Sequence, residues 1–175
     1  TQQGVYVPPT GGNGSAGAWV RVHDGRLLAR WFGATGDGTT DDAPAINAAI
    51  ALAGALGGLQ VVLENTTYAI AGTLAVSVRD TDITGFGADM RHADTSFGNL
   101  ASTRLKWTGA AGGTMVKFES PSGASNYKQS GGGLRRLMLD ANSLAGKGLE
   151  VNSWNHGTFE WLGFKEFSVF GIQLD

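Results

Sequence analysis

Apolar residues recur in two rhythms along this chain. Between residues 39 and 58 the rhythm is helical: Ile46, Ala49, Ile50, Ala53 and Leu56 return at steps of three and four and make one stripe. Thr40 stands ahead of that stripe as the N-cap, its hydroxyl placed to accept a backbone N–H of the first turn. Asp41 and Asp42 follow at the positive end of the helix dipole. Pro44 falls in the first turn, where its missing N–H costs least, and Gly57-Gly58 ends the helix. Ala45, Ala48, Ala51 and Ala55 keep it slim enough to lie close against a neighbour.

Elsewhere the period is two. Short strand-like segments separated by turns are predicted at 59–63, 68–70, 73–78, 81–84, 103–107, 114–118, 134–139, 149–151, 159–161 and 172–174. Ahead of the helix, Ala18 to His23 alternates, Asp24-Gly25 signals a turn, and Arg26 to Phe32 returns, which predicts a β-hairpin. Residues 1–18, with Pro8-Pro9 and a run of Gly, Asn, Ser and Ala, read as a linker or neck with little to bury. Residues 88–101 and 119–133 follow neither rhythm and read as insertions. The division is therefore a neck over 1–18, a hairpin and glycine-rich turn over 19–38, a helix over 39–58 and strands over 59–175.

Two segments repeat. Gly148-Leu149-Glu150-Val151 returns as Gly171-Ile172-Gln173-Leu174, 23 residues on, and Leu137-Met138-Leu139 returns as Phe159-Glu160-Trp161, 22 residues on. Two segments recurring at nearly one period imply a solenoid, in which each strand stacks on its counterpart and buries its inward side chain. Leu137, Leu139, Phe159 and Trp161 are then expected inward. Met138 and Glu160 are expected outward on one face, and Glu150 and Gln173 outward on another.

Composition narrows the function. Charged residues are 16 % and net charge is −2, which argues against a general nucleic-acid binder. Glycine, 28 of 175 residues, is about twice its usual share and is spread along the chain, as a fold with many tight corners requires. With no cysteine there is neither disulfide nor thiol chemistry. No apolar run reaches the ~18 residues of a membrane span, and no charged-then-apolar leader opens the chain. The chain begins at Thr1 and stops at Asp175 inside a strand-like pattern, and we expect it to be an internal slice of a longer polypeptide.

The helix and the turn before it carry a family resemblance. Trp31-Phe32-Gly33-Ala34, then Gly36-Asp37-Gly38, Thr40-Asp41-Asp42, Ala45-Ile46 and Ala49-Ile50 resemble the opening of bacteriophage tailspikes of the pectate-lyase-like right-handed β-helix superfamily. The likeness covers residues 19–84 well and the remainder through its repeats. It implies a mainly β fold, a right-handed parallel β-helix behind an N-terminal capping helix. It also implies a homotrimeric virion spike, mounted on other virion proteins through its neck, that holds bacterial surface polysaccharide through further coils and in many members cleaves it. Lyases, hydrolases, epimerases and spikes without catalysis share the motif. A secreted polysaccharide lyase or hydrolase and a non-enzymatic attachment fibre therefore stay open as alternatives.

Candidate chemistry is sparse. The Gly33-x-x-Gly36-x-Gly38 loop opens a helix but matches no phosphate-binding pattern, and no lysine follows it. Asp37, Asp41 and Asp42 lack the order of a calcium loop and read as turn and capping residues. His23, His92 and His156 lack metal-ligand spacing. Glu150 and Glu160 are expected on a solvated exterior, with no acid stacked on an acid and with Arg135 and Arg136 nearby. Trp154, Phe159, Trp161, Phe164, Phe167 and Phe170 are expected to fill a core or an interface rather than to stack sugars. We assign no catalytic, cofactor-binding or metal-binding residue from the sequence, and the substrate-binding residues stay open.

Overall fold

A short strand that alternates apolar and polar residues keeps its apolar side dry only if other strands lie alongside it. Here the partners come from the next turn of the chain. The computed structural model describes residues 4–8, 17–88, 102–120, 131–154 and 156–174. The strands are β1 Tyr6–Val7, β2 Trp19–Val20, β3 Arg26–Leu28, β4 Asp37–Asp41, β5 Gln60–Val62, β6 Thr67–Ile70 and β7 Leu74–Val76. They continue with β8 Asp82–Thr84, β9 Arg104–Trp107, β10 Thr114–Glu119, β11 Gly133–Asp140, β12 Lys147–Asn152, β13 Thr158–Lys165 and β14 Phe170–Leu174. One α-helix, α1 Ala43–Ala55, follows β4.

Apart from the antiparallel pair β1–β2, the pairings among the described residues are parallel. One curled sheet runs β3-β5-β8-β11-β9-β6-β4 with β13 on β11, and the other runs β7-β10-β12-β14. The first half of β11 pairs with β8 and its second half with β9, so one strand continues what the preceding turn of chain makes as two. The protein is mainly β, with parallel strands in curled sheets and a single long helix among the described residues. No helix of the described residues is long and apolar enough to cross a membrane.

The core is a set of rungs. Leu27, Val61, Ile83, Leu134 and Phe159 stand side by side on five successive strands. Leu74, Val116, Leu149 and Ile172 make a second rung, and Val76, Phe118, Val151 and Leu174 a third. Each fully buried aliphatic or phenyl side chain contributes roughly 1.5–3 kcal/mol. On the last strand the rungs meet solvent: Ile172 is 46 % and Leu174 69 % exposed, while Leu149 beside Ile172 is fully buried.

The 23-residue repeat is the register of β12 on β14, with Leu149 beside Ile172 and Glu150 beside Gln173. The second repeat is corrected. Leu134 lies beside Phe159, Leu137 beside Leu162 and Leu139 beside Phe164, a spacing of 25. Arg136 and Trp161 both take left-handed backbone, φ 55° and 54°. This bend breaks the alternation in both strands, so Leu134 and Leu137 are both buried although three apart. Trp161, expected inward, is 75 % exposed.

The helix begins later than predicted. Thr40 lies in β4 and gives its hydroxyl to Asp37 Oδ2 instead of capping. Asp42 holds the N-cap position without a side-chain cap bond, and the Ala43 N–H goes to Asp41 Oδ1. Ile46, Ala49, Ile50 and Ala53 are buried as the stripe requires, but Leu56 lies past the last turn and is exposed. Ala48, Ala51 and Ala55 face solvent rather than a neighbour. The close approach is made instead by Gly54, where a Cβ would collide with Val78. Gly57 and Gly58, φ 91° and 97°, close the helix by donating to the carbonyls of Gly54 and Ala53.

One helical side chain completes the second sheet. Asn47 donates from Nδ2 to the Thr73 carbonyl at 3.0 Å, and its Oδ1 accepts the Ala75 N–H at 3.0 Å. These backbone groups lie at and just before the start of the edge strand β7, where an unpaired ladder invites another chain. Asn47→Ala should cost about 1–3 kcal/mol, because it removes two hydrogen bonds of about 0.5–1.5 kcal/mol each. Urea titration with light scattering checks this, and unchanged stability with no rise in association would remove the edge-capping role.

The predicted hairpin does not form. Trp19–Val20 pairs with Tyr6–Val7, whereas Arg26–Leu28 runs parallel to Gln60–Val62, and Ala29–Phe32 is a 3-10 turn. Parallel pairing lets Leu27 join the buried rung. Part of the expected neck is also packed: Val5 is buried, and Gly4 sits against the Phe32 ring with no room for a Cβ. Of the two unpatterned stretches, 89–101 and 121–130 lie outside the described residues.

Candidate functional site

Outward positions of stacked parallel strands form rungs too, and charges on them are stable where signs alternate from strand to strand. Three such groups occur among the described residues. The first joins Asp82, Arg135 and Glu160. Arg135 lies beside Thr84 on one flank and Glu160 on the other. Its Nη2 is 3.4 Å from Asp82 Oδ1 and its Nη1 is 3.7 Å from Glu160 Oε1. Burial pushes the Asp82 carboxyl above its ordinary range, against the pull of Arg135, and Glu160 and Asp80 add to the rise. A half-buried acid with a raised pKa, beside a guanidinium and a second carboxyl, has the parts of a proton-transfer site.

In the second group Asp140, outward yet buried, sits between Lys106 and Lys165 in register. It accepts the Asn142 N–H at 2.9 Å and lies 3.5 Å from Lys165 Nζ and 3.7 Å from Arg104 Nη1. The third group encloses Glu150. Lys147 Nζ is 2.8 Å away, Asn152 Nδ2 3.0 Å, Thr114 Oγ1 3.3 Å and Lys117 Nζ 3.5 Å. Glu150 is only 9 % exposed, which corrects the expected solvated exterior. The bond from Lys147 above all, then Asn152 and the charge of Lys117, pulls its pKa down to about 2.

A depressed carboxylate stabilises the fold above its unfolded pKa, and that stability is lost as pH falls through the folded value. The protein should therefore lose stability between about pH 4.5 and pH 2, partly through Glu150. In Glu150→Gln that portion of the slope should flatten, at a cost of about 1–3 kcal/mol at neutral pH. Denaturation midpoints across this window measure both, and parallel curves for the two proteins would exclude Glu150 as a clamp.

The aspartates of the glycine turn have structural roles. Thr40 and then Thr39 hold the Asp37 carboxyl well below its usual range. Asp41 accepts the N–H groups of Ala43 and Ala71. Asp42 accepts those of Thr35 and Gly36. Gly33, Gly36 and Gly38 have φ of 102°, 65° and 75°, and the loop is a turn. No group of three or more His, Asp or Glu placed to hold a metal occurs among the described residues. His23 is half-buried and His156 exposed, far apart in the chain, and His92 lies outside the described residues.

The aromatic cluster divides. Trp154 and Phe159 meet Phe118 edge-on at 5.3 and 5.1 Å, and Phe164 meets Phe167 at 6.0 Å, all against the core. Trp161 and Phe170 are exposed. Asp82 and Asp140 were missed by sequence reasoning. Alternation about Ile83 does turn Asp82 outward, but its strand's pairing with β11 and its ion pair with Arg135 cross the unpatterned stretches, where no repeat can be counted. Glu160 was expected beside Met138; the 25-residue register puts it beside Arg135.

No protein-family profile matches the chain, and no curated protein sequence matches it. Solved structures do. The chain is similar to ORF18 of Geobacillus virus E2, with a TM-score of 0.63 and 23% identity over 79% of this chain and 25% of that one. It is similar also to the A-modules of the Azotobacter vinelandii mannuronan C-5 epimerases AlgE6 and AlgE4. Their TM-scores are 0.59 and 0.61, each at 24% identity over 84% of this chain and 40% and 41% of theirs. The chain thus spans between a quarter and two-fifths of the length of these structures. They are parallel β-helix folds, and the likeness is one of fold.

Proposed function

We propose that this chain is the helix-capped first part of a right-handed parallel β-helix in a bacteriophage spike, a homotrimer that attaches to bacterial surface polysaccharide. The observation that carries the reading is the capped end of the stack. There α1 lays Ile46, Ala49, Ile50 and Ala53 against the first rungs, and Asn47 binds the β7 edge. Similarity to a phage protein of which the matched part is a quarter supports the same reading. The segment's own role is structural: it closes the apolar end of the stack and joins it to a mount made by the neck and other virion proteins. Immunogold labelling of virions with antibody to this segment tests the proposal. Label at threefold spikes is expected, and unlabelled particles would overturn it.

A second reading is favoured by the Asp82–Arg135–Glu160 group and by the likeness to epimerase modules: an enzyme acting on polysaccharide, a lyase or hydrolase included. Asp82 and Glu160 would supply the carboxyl groups for proton transfer, and Arg135 would neutralise a developing charge. Incubating the full chain with surface polysaccharide distinguishes the two. New reducing or unsaturated ends, or uptake of solvent deuterium at sugar carbon, that disappear in Asp82→Asn support the enzyme, and the absence of all three leaves attachment alone.

A further inference from the structure

We infer that the bend shared by successive turns of chain is a binding ridge for an acidic sugar chain, formed by Phe86, Arg136 and Trp161. The inference rests on the polysaccharide reading above and adds the chemical class of the sugar.

Backbone pairing puts the three residues in line. Arg135 lies between Thr84 and Glu160 in register. The N–H groups of Gly85 and Gly87 donate to the carbonyls of Arg135 and Arg136. Arg136 and Trp161 therefore lie side by side on β11 and β13, at the usual separation of roughly 4.8 Å, and Phe86, two residues past the end of β8, lies next to Arg136 between the two bonded glycines. Strict alternation after Leu134 and Phe159 would turn Arg136 and Trp161 inward, but their left-handed backbone sends both to the surface. Bulky residues rarely adopt that conformation. Trp161 is 75 % and Phe86 64 % exposed.

Single exposed aromatics need no explanation. Two of them flanking one arginine along a line have a combined chemistry. An indole or phenyl face covers the C–H face of a sugar ring, and a guanidinium matches a carboxylate in two parallel hydrogen bonds. Arg135 is already held by Asp82 and Glu160. Arg136 has no ion-pair partner among the described residues, so its charge is available to a ligand. Apolar faces alternating with a negative charge describe a polyuronate. A single-stranded nucleic acid also offers rings and charge, but Asp82 and Glu160 beside the ridge and a net charge of −2 disfavour dense phosphate.

Affinity electrophoresis of the full chain tests this, in gels containing polygalacturonate, its carboxyl-reduced form or single-stranded DNA. Polygalacturonate should retard the protein, the reduced polymer should bind about tenfold more weakly, and DNA should not bind. Trp161→Ala should weaken polygalacturonate binding about tenfold. Arg136→Gln should bring polygalacturonate down to the level of the reduced polymer, with partial recovery in Arg136→Lys. Both side chains are exposed, so melting should be unchanged; if Trp161→Ala melts early, Phe86→Ala on the preceding turn carries the same expectation. Equal binding of both polymers, preference for DNA, no retardation at all, or variants that bind like the parent would overturn the ridge. The virion label is independent of these gels, so the spike reading and this one fail separately.

Discussion

Aspartate in place of Ile46 should leave no folded protein. Ile46 is fully buried on the inner stripe of α1, in one cluster with Leu27, Ile50, Val61 and Leu74. Truncating a buried isoleucine costs about 2–5 kcal/mol. A carboxylate there must also shed its water with no partner, or take up a proton far above its usual pKa, at a cost of several more. A domain's whole net stability is about 5–15 kcal/mol. The substitution therefore removes most or all of it, and the rungs of the first turns lose their cover. Soluble yield and far-ultraviolet circular dichroism at 25 °C measure the outcome, with Ile46→Val as the control that should cost only about 0.5–1.5 kcal/mol. A soluble Ile46→Asp protein melting with the parent would mean that α1 does not close the core.

That stripe was legible because Ile46, Ala49, Ile50 and Ala53 repeat within a single helix, where the period alone decides which face is buried. The strands were legible for the same local reason. What the pattern could not carry was pairing. Asp24-Gly25 is a turn, with Gly25 at φ 86°, yet the strand after it runs parallel to Gln60–Val62 rather than back along Trp19–Val20. A turn signal specifies that the chain changes direction, not where it goes. Register was readable for β12 and β14, whose alternation is unbroken. It was misread for β11 and β13, where left-handed Arg136 and Trp161 cost each strand a step. The same slip hid the pairing of Glu160 with Arg135. Asp82 was hidden more deeply, since its partner lies on the far side of two unpatterned stretches. The helix start was misplaced because short acidic side chains have several backbone groups to choose from. Asp42 is satisfied by Thr35 and Gly36, and Asp41 is shared between Ala43 and the distant Ala71, partners the helical period does not point to.

Asp42 shows what that choice is worth. Asp42→Ala should cost about 3 kcal/mol, more than the loss of an ordinary helix cap, which is about 0.5–2 kcal/mol. Its buried carboxylate takes the Thr35 N–H at 2.7 Å and the Thr35 hydroxyl at 3.1 Å on one oxygen, and the Gly36 N–H at 3.1 Å on the other. Its own N–H donates to the Ala69 carbonyl on β6, and its carbonyl accepts the Ile46 N–H in the first helical turn. One residue thus ties the glycine turn, the sheet and the helix together. Alanine keeps the two main-chain links but leaves two turn N–H groups without an acceptor. Asparagine keeps one acceptor oxygen and sets an NH2 against the other N–H, so Asp42→Asn should cost nearly as much as alanine. A side chain acting only through the helix dipole would behave otherwise, since neutral asparagine and alanine would each lose a fraction of a kcal/mol. Urea midpoints at constant m-value separate the two accounts. Amide exchange locates the loss: protection should fall first at Thr35 and Gly36, ahead of the helix, because the turn depends on the carboxylate and the helix does not.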